Sequence, residues 1–237
     1  MNSSVPDYKE IYQTQDQVFN ILRNQLDDFY LTGGTALGRF YLNHRYSEDL
    51  DFFLNLLPDF GDRVRKIIER IRQSFTLEAS TTVWSENFVR IRLAGGSQMK
   101  VEFVNDTPFH WGPIIDFHGI RLDNPANILA NKITAVVTRE EPKDVFDIVT
   151  LSQNFSFDWD EVFRMAFEKQ IMDATDVAMR LSTFPVEWMA GLAWLKDPVD
   201  PAMFRHRIEI ISDDLLFARD NSLGLGKIPI TEAKPFL

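Results

Sequence analysis

The order of apolar and polar positions divides the chain into two stretches of different character. Up to about residue 123, short apolar runs alternate with amphipathic segments; beyond it the pattern is helical and broken at prolines. Asp7 is placed to cap a first helix, whose apolar positions Ile11, Val18, Ile21, Leu22 and Leu26 recur at helical spacing. Phe29, Tyr30 and Leu31 then read as a short strand ending in Gly33 and Gly34. Residues 35–42 read as a short helix and residues 50–54 as a second strand. Residues 62–75 form a charged helix with Val64, Ile67, Ile68 and Ile71 on its inner face. Three strands are expected next, a threonine- and valine-rich one over 76–84 and alternating ones over 88–93 and 99–104, with a further strand around 114–117. Asn124-Pro125 opens a helix, with proline at the first helical position, and later helices are interrupted at Pro142, Pro185, Pro198 and Pro201. A boundary therefore falls near residue 123, giving an α/β half over 1–123 and a helical half over 124–237.

The segment Gly95-Gly96-Ser97 is a hairpin signal. A three-residue turn pairs Ala94 with Gln98. It places Val89, Ile91, Leu93, Met99, Val101 and Phe103 on one face and Arg90, Arg92, Lys100 and Glu102 on the other. A two-residue turn would bury the arginines among apolar side chains, because a slip of one residue flips every position. Only the first register keeps charge out of the core, so Arg90 is expected opposite Glu102. Two roles stay open for Arg90: a triphosphate ligand, or the cross-strand partner of Glu102.

Composition narrows the function classes. The chain has 237 residues, 45% of them hydrophobic, which supports a sizeable core and excludes a disordered protein. With no cysteine, disulfides, thiolate metal sites and cysteine nucleophiles are excluded. The four histidines show no zinc-ligand spacing. No run approaches the ~20 apolar residues of a membrane span, and the polar N-terminus lacks the order of a secretion signal, so a cytoplasmic protein with no membrane partner is expected. The net charge of −10 argues against broad nucleic-acid binding through a basic surface.

The candidate chemistry starts at Asp49 and Asp51. Residues two apart on a strand share a face, so Asp49-Leu50-Asp51-Phe52 sets two carboxylates on one side and two apolar side chains on the other. Like charges so placed repel unless a cation lies between them. Hard oxygen ligands suit magnesium, which keeps several waters and takes one or two carboxylates plus substrate phosphates. Gly33 and Gly34, between a strand and a helix, let the backbone approach a phosphate closely at a helix N-terminus, and Thr35 adds a hydroxyl. Glu102, between Val101 and Phe103, is a third acid on a separate strand. A two-metal displacement needs ligands for both ions and a carboxylate near the attacking hydroxyl. Each element alone also has a bland reading: acids facing water at a sheet edge, a glycine turn, a surface glutamate.

Together these residues resemble the DNA polymerase β-type nucleotidyltransferase superfamily. The strings Thr32-Gly33-Gly34-Thr35-Ala36-Leu37 and Arg45-Tyr46-Ser47-Glu48-Asp49-Leu50-Asp51-Phe52 resemble the AbiEii/AbiGii toxin family of abortive-infection and toxin–antitoxin systems. Lys132 and the run Lys143-Asp144-Val145-Phe146-Asp147 match that family's later lysine and D-x-x-D element, with Lys143 where the family often has arginine. The resemblance covers about 29–150. It implies an α+β fold, a mixed sheet with flanking helices followed by a helical C-terminal half, with the active site in the groove between them.

The resemblance also implies roles. Gly33, Gly34 and Thr35 would hold a nucleoside triphosphate. Asp49 and Asp51 would bind two Mg2+ ions, and Glu102 would complete the metal site and assist deprotonation of the acceptor. Lys132 would neutralise charge developing on the phosphates, and Asp144 would position the nucleotide or that lysine. Arg45 and Ser47 would shape the loop before the acids. The implied acceptor is a tRNA 3′ end or another RNA, and the implied partner a DNA-binding antitoxin. Two alternatives stay open: a small-molecule nucleotidyltransferase of the aminoglycoside-modifying kind, and a non-enzymatic nucleotide-binding partner protein.

Overall fold

The computed structural model of the chain describes residues 6–95 and 99–236. It divides into two compact units, Met1–Phe40 with Tyr46–Asp123 and Tyr41–Arg45 with Asn124–Leu237. Among the described residues, no helix is long and apolar enough to cross a membrane.

The first unit is built on a seven-stranded sheet. Its strands are β1 (Tyr30–Thr32), β2 (Leu50–Asn55), β3 (Val83–Trp84), β4 (Phe88–Arg92), β5 (Lys100–Asp106), β6 (Ile115–Phe117) and β7 (Ile120–Leu122), in the order β3-β4-β5-β2-β1-β7-β6. The β2–β5 and β1–β7 pairs are parallel and the other neighbours antiparallel. The sheet is therefore mixed, and the fold is α+β. Period-2 alternation does the sorting: Leu50, Phe52 and Leu54 of β2 are buried, as are Val89, Ile91, Val101 and Phe103 of β4 and β5, while Asp51, Arg90, Lys100 and Glu102 between them are half-buried. Helices α1 (Tyr8–Leu22) and α3 (Phe60–Arg72) bury Ile11, Val18, Phe19, Leu22, Val64, Ile67, Ile68 and Ile71. Phe29 joins helix to sheet, with ring centroids 6.1 Å from Phe60 and 5.5 Å from Phe103. Asp7 caps α1 by accepting from the backbone N–H groups of Lys9 and Glu10.

Three expectations change. Residues 76–84 are not one continuous strand: Leu77 bridges Leu93 and Glu78 donates to the Arg92 carbonyl, a 3-10 turn follows at Ala79–Thr81, and Val83–Trp84 then pairs with β4. Threonine and valine favour strands only where a pleated, half-buried surface exists to receive them, and this segment is largely exposed. The short helix begins earlier, at Gly33, as α2 (Gly33–Ala36), and runs into a π turn at Leu37–Tyr41. Strand β7, which pairs antiparallel with β6, was not expected. The expected Ala94–Gln98 pairing lies outside the described residues, but the register it implies is present: Phe88 opposes Val104, Arg90 opposes Glu102 and Arg92 opposes Lys100.

The second unit is helical: α4 (Pro125–Thr138), α5 (Pro142–Asn154), α6 (Trp159–Lys169), α7 (Ala174–Ser182) and α8 (Pro201–Leu216). Proline opens α4, α5 and α8, where its missing N–H costs no helical bond. Asn124, Asp158 and Asp200 cap α4, α6 and α8 through their side chains. Ile128, Leu129, Ile133, Ile148, Leu151, Trp159, Phe204 and Ile208 are buried in its core.

Candidate active site

The register of the sheet brings the acids of the first unit together. Asp51 sits directly between Thr32 of β1 and Glu102 of β5, so Asp51 and Glu102 occupy adjacent positions on one face. Asp49 lies just before β2, two residues from Asp51. Lys100, two residues before Glu102 on the same face, connects the set: its Nζ is 2.8 Å from Asp49 Oδ2 and 3.6 Å from Glu102 Oε1. Arg90 donates from Nε to Glu102 Oε1 at 2.6 Å, which realises the cross-strand partnership. Burial works against the Lys100 charge, but the hydrogen bond and charge of Asp49, with Glu102 and Asp51 behind, outweigh it and raise its pKa above the usual lysine value.

The glycine turn abuts this acid group. Gly33 has φ +67°, and a Cβ added there would lie 3.0 Å from Asp51 Oδ2. Both the left-handed backbone and the close approach require glycine. Two anchors hold the surrounding backbone. Asp123, fully buried, accepts from the Thr32 hydroxyl at 2.5 Å, hydrogen-bonds His110 Nε2 at 3.0 Å, and donates its backbone N–H to the Leu31 carbonyl. This fixes the end of β1 from which Gly33 and Gly34 leave. The buried Gln15 of α1 donates from Nε2 to the carbonyls of Ser47 and Glu48 at 3.0 and 3.3 Å. Thr35 is buried and donates its hydroxyl to the Asp49 carbonyl. Its oxygen thus ties down the loop that presents Asp49, instead of standing open toward a ligand.

Among the described residues, no three of His, Cys, Asp and Glu gather closely enough to hold a metal ion. The donor set nevertheless fits magnesium in kind, since Asp49, Asp51 and Glu102 offer hard oxygens on or beside one strand face. What holds Asp49 and Glu102 in this arrangement is the pair of cations Lys100 and Arg90.

Lys132 and Asp144 sit in the second unit, within a buried charge network. Asp147, whose side chain has no exposure, accepts from Arg45 Nε and Nη2 at 2.6 and 2.8 Å and lies 2.8 Å from both Lys132 Nζ and His44 Nε2. Lys132 Nζ also donates to Asp144 Oδ1 at 2.6 Å, and Asp144 accepts from Arg139 Nε at 2.7 Å. Burial opposes ionisation of Asp147 and Asp144, yet their cations outweigh it and lower both pKa values, that of Asp147 strongly. Burial lowers the His44 pKa despite the Asp147 hydrogen bond. Lys132 is buried too, and the charges of Asp147 and Asp144 keep its pKa raised. Five charged groups, three cations and two carboxylates, leave one net positive charge.

Sequence reasoning placed Lys100 on the face of Glu102 and Asp147 in the D-x-x-D element but gave neither a role, weighed His44 only as a zinc ligand, and overlooked Gln15. The signal for Gln15 was present, since it falls four residues after Ile11 on the apolar stripe of α1. Nothing local marks Asp147 as a hub, because Arg45 reaches it across 102 positions.

The model of the family described as "Nucleotidyl transferase AbiEii toxin, Type IV TA system" matches residues 20–218. No curated protein matches the chain. Among solved structures, MenT4, a nucleotidyltransferase toxin of Mycobacterium tuberculosis, is 17% identical with a TM-score of 0.62, over 89% of this chain and 84% of its own. JHP933 of Helicobacter pylori is 19% identical with a TM-score of 0.55, over 90% of this chain and 93% of its own. At those identities the two likenesses establish a shared fold. With the family match spanning most of the sequence, and with the glycine turn and the acids on one sheet, the chain belongs to the AbiEii family of nucleotidyltransferase toxins.

Proposed function

We propose that the chain transfers a nucleoside monophosphate from a nucleoside triphosphate to a hydroxyl on an RNA acceptor, such as a tRNA 3′ end, and releases pyrophosphate. The observation that carries this reading is the adjacency of Asp51 to both the Gly33 backbone and Glu102. A phosphate held at the glycine turn would then lie beside the carboxylates. Asp49, Asp51 and Glu102 would hold two Mg2+ ions. When bound, these supply Lewis-acid stabilisation of the phosphoryl oxygens and lower the pKa of the attacking hydroxyl.

The protein's own groups do the rest. The backbone N–H groups at Gly33 and Gly34 cradle the triphosphate at the start of α2. Asp49 and Asp51 would hold those ions beside the α-phosphate. The acceptor oxygen bonds to the α-phosphorus, the bond to the α,β-bridging oxygen breaks, and the hydroxyl proton passes to the Glu102 carboxylate. As in a toxin–antitoxin pair, the partner in the cell would be a DNA-binding antitoxin, and the protein would act in the cytoplasm.

The test is label transfer. The purified chain is incubated with magnesium, each α-labelled triphosphate in turn and total RNA, beside its Asp51→Asn variant. One triphosphate should label RNA with the wild type and fail with the variant by at least about a hundredfold, the scale set by loss of one transition-state stabiliser. Equal labelling by both would end the proposal.

A further inference from the structure

We propose that Lys100 is a resident counter-ion of the acid group, which a divalent cation must displace, so that Lys100 sets the divalent-ion concentration at which the site loads. This rests on the reading of Asp49, Asp51 and Glu102 as metal ligands. The strand period carries the argument first. Lys100 and Glu102 are two apart on β5, hence on one face, and Glu102 neighbours Asp51 in register. The distances carry it second, since one ammonium reaches Asp49 Oδ2 at 2.8 Å and Glu102 Oε1 at 3.6 Å.

Asp51 and Glu102 are paired in register and Asp49 lies two residues from Asp51, so their charges repel one another in the absence of a cation. Lysine is suited to relieve that strain reversibly. Its charge is compact, its four-carbon stem is flexible, and it lacks the rigid fork that would fix an arginine bidentately to a carboxylate. The Lys100 side chain is about a quarter exposed, at 26%, so it can swing toward solvent. A divalent ion and the ammonium cannot share the same oxygens, because like charges repel.

The experiment is Mg2+ and Mn2+ binding to the full chain by titration calorimetry, without nucleotide, for the wild type and for Lys100→Met, Lys100→Gln and Asp51→Asn, with circular dichroism confirming the fold of each. Both neutral variants should bind the ion about tenfold more tightly than the wild type, as expected for removing one competing unit charge at a partly exposed site. Unchanged or weaker binding by folded Lys100→Met and Lys100→Gln, with Asp51→Asn still abolishing it, would overturn the counter-ion role and leave the nucleotidyltransferase reading standing. Binding that ignores Asp51→Asn as well would overturn both.

Discussion

The acid group of the sheet and the charge network of the helices use the same residue types to opposite ends. Around β2 and β5, three carboxylates outnumber two cations, and the side chains of Asp49, Arg90 and Lys100 are about a quarter to a third exposed. Around α4 and α5, three cations outnumber two carboxylates, and Asp147 and Asp144 have almost no exposure. Exposure decides what a pair can do. A pair reached by water exchanges its partners at little cost, whereas a buried one cannot lose a member without stranding a charge. The first arrangement is suited to binding and releasing ions, the second to holding helices in place.

The comparison is broken most severely at Asp147. Replacing it by alanine takes from Arg45 both hydrogen bonds to that carboxylate and from Lys132 one of its two carboxylate partners, and should cost about 3–5 kcal/mol in chemical denaturation. Asp51→Ala, which relieves like-charge repulsion, should change stability by no more than about 0.5 kcal/mol. Equal losses in the two variants would contradict the distinction. Next in size is Gly33→Ala. Its left-handed φ and the 3.0 Å approach to Asp51 Oδ2 should cost about 1–2 kcal/mol in a thermal melt and reduce transfer, because the Asp51 carboxylate must move.

Acidification should weaken the helical network in steps. The folded His44 pKa lies below the ordinary value of 6.5, so as pH falls through 6.5 the unfolded chain takes up that proton first and stability declines. Asp144 and Asp147 have folded values below 3.8. Their stabilisation is complete above that value and is lost as pH falls through the lower folded ones. Denaturation followed against pH should therefore show two stages, and His44→Gln should remove the upper one. The smallest effect is expected at Arg65, whose pair with Asp62 is exposed on both sides; Arg65→Ala should shift stability by less than about 0.5 kcal/mol.

Local pattern was enough to read the strands that alternate and the helices with clean caps. The pairing of Arg90 with Glu102 followed from one constraint, that charge stay out of the core, and it appears in the structure. What escaped was non-local or too short. The parallel pairing of β2 with β5 joins positions about fifty apart, and three-residue β7 is shorter than any reliable alternation. Thr35 shows a further limit. A hydroxyl beside a glycine turn is as ready to bond the backbone as a ligand, and only coordinates reveal that it bonds Asp49.

The convergence of Asp49, Asp51 and Glu102 beside Gly33 is tested most directly by a crystal structure grown with Mn2+ and a non-hydrolysable triphosphate, read by anomalous scattering. Manganese peaks should touch the carboxylates of Asp49 and Asp51, with the phosphates against Gly33 and Gly34. Peaks confined to other carboxylates, with nucleotide bound away from the glycine turn, would contradict the account.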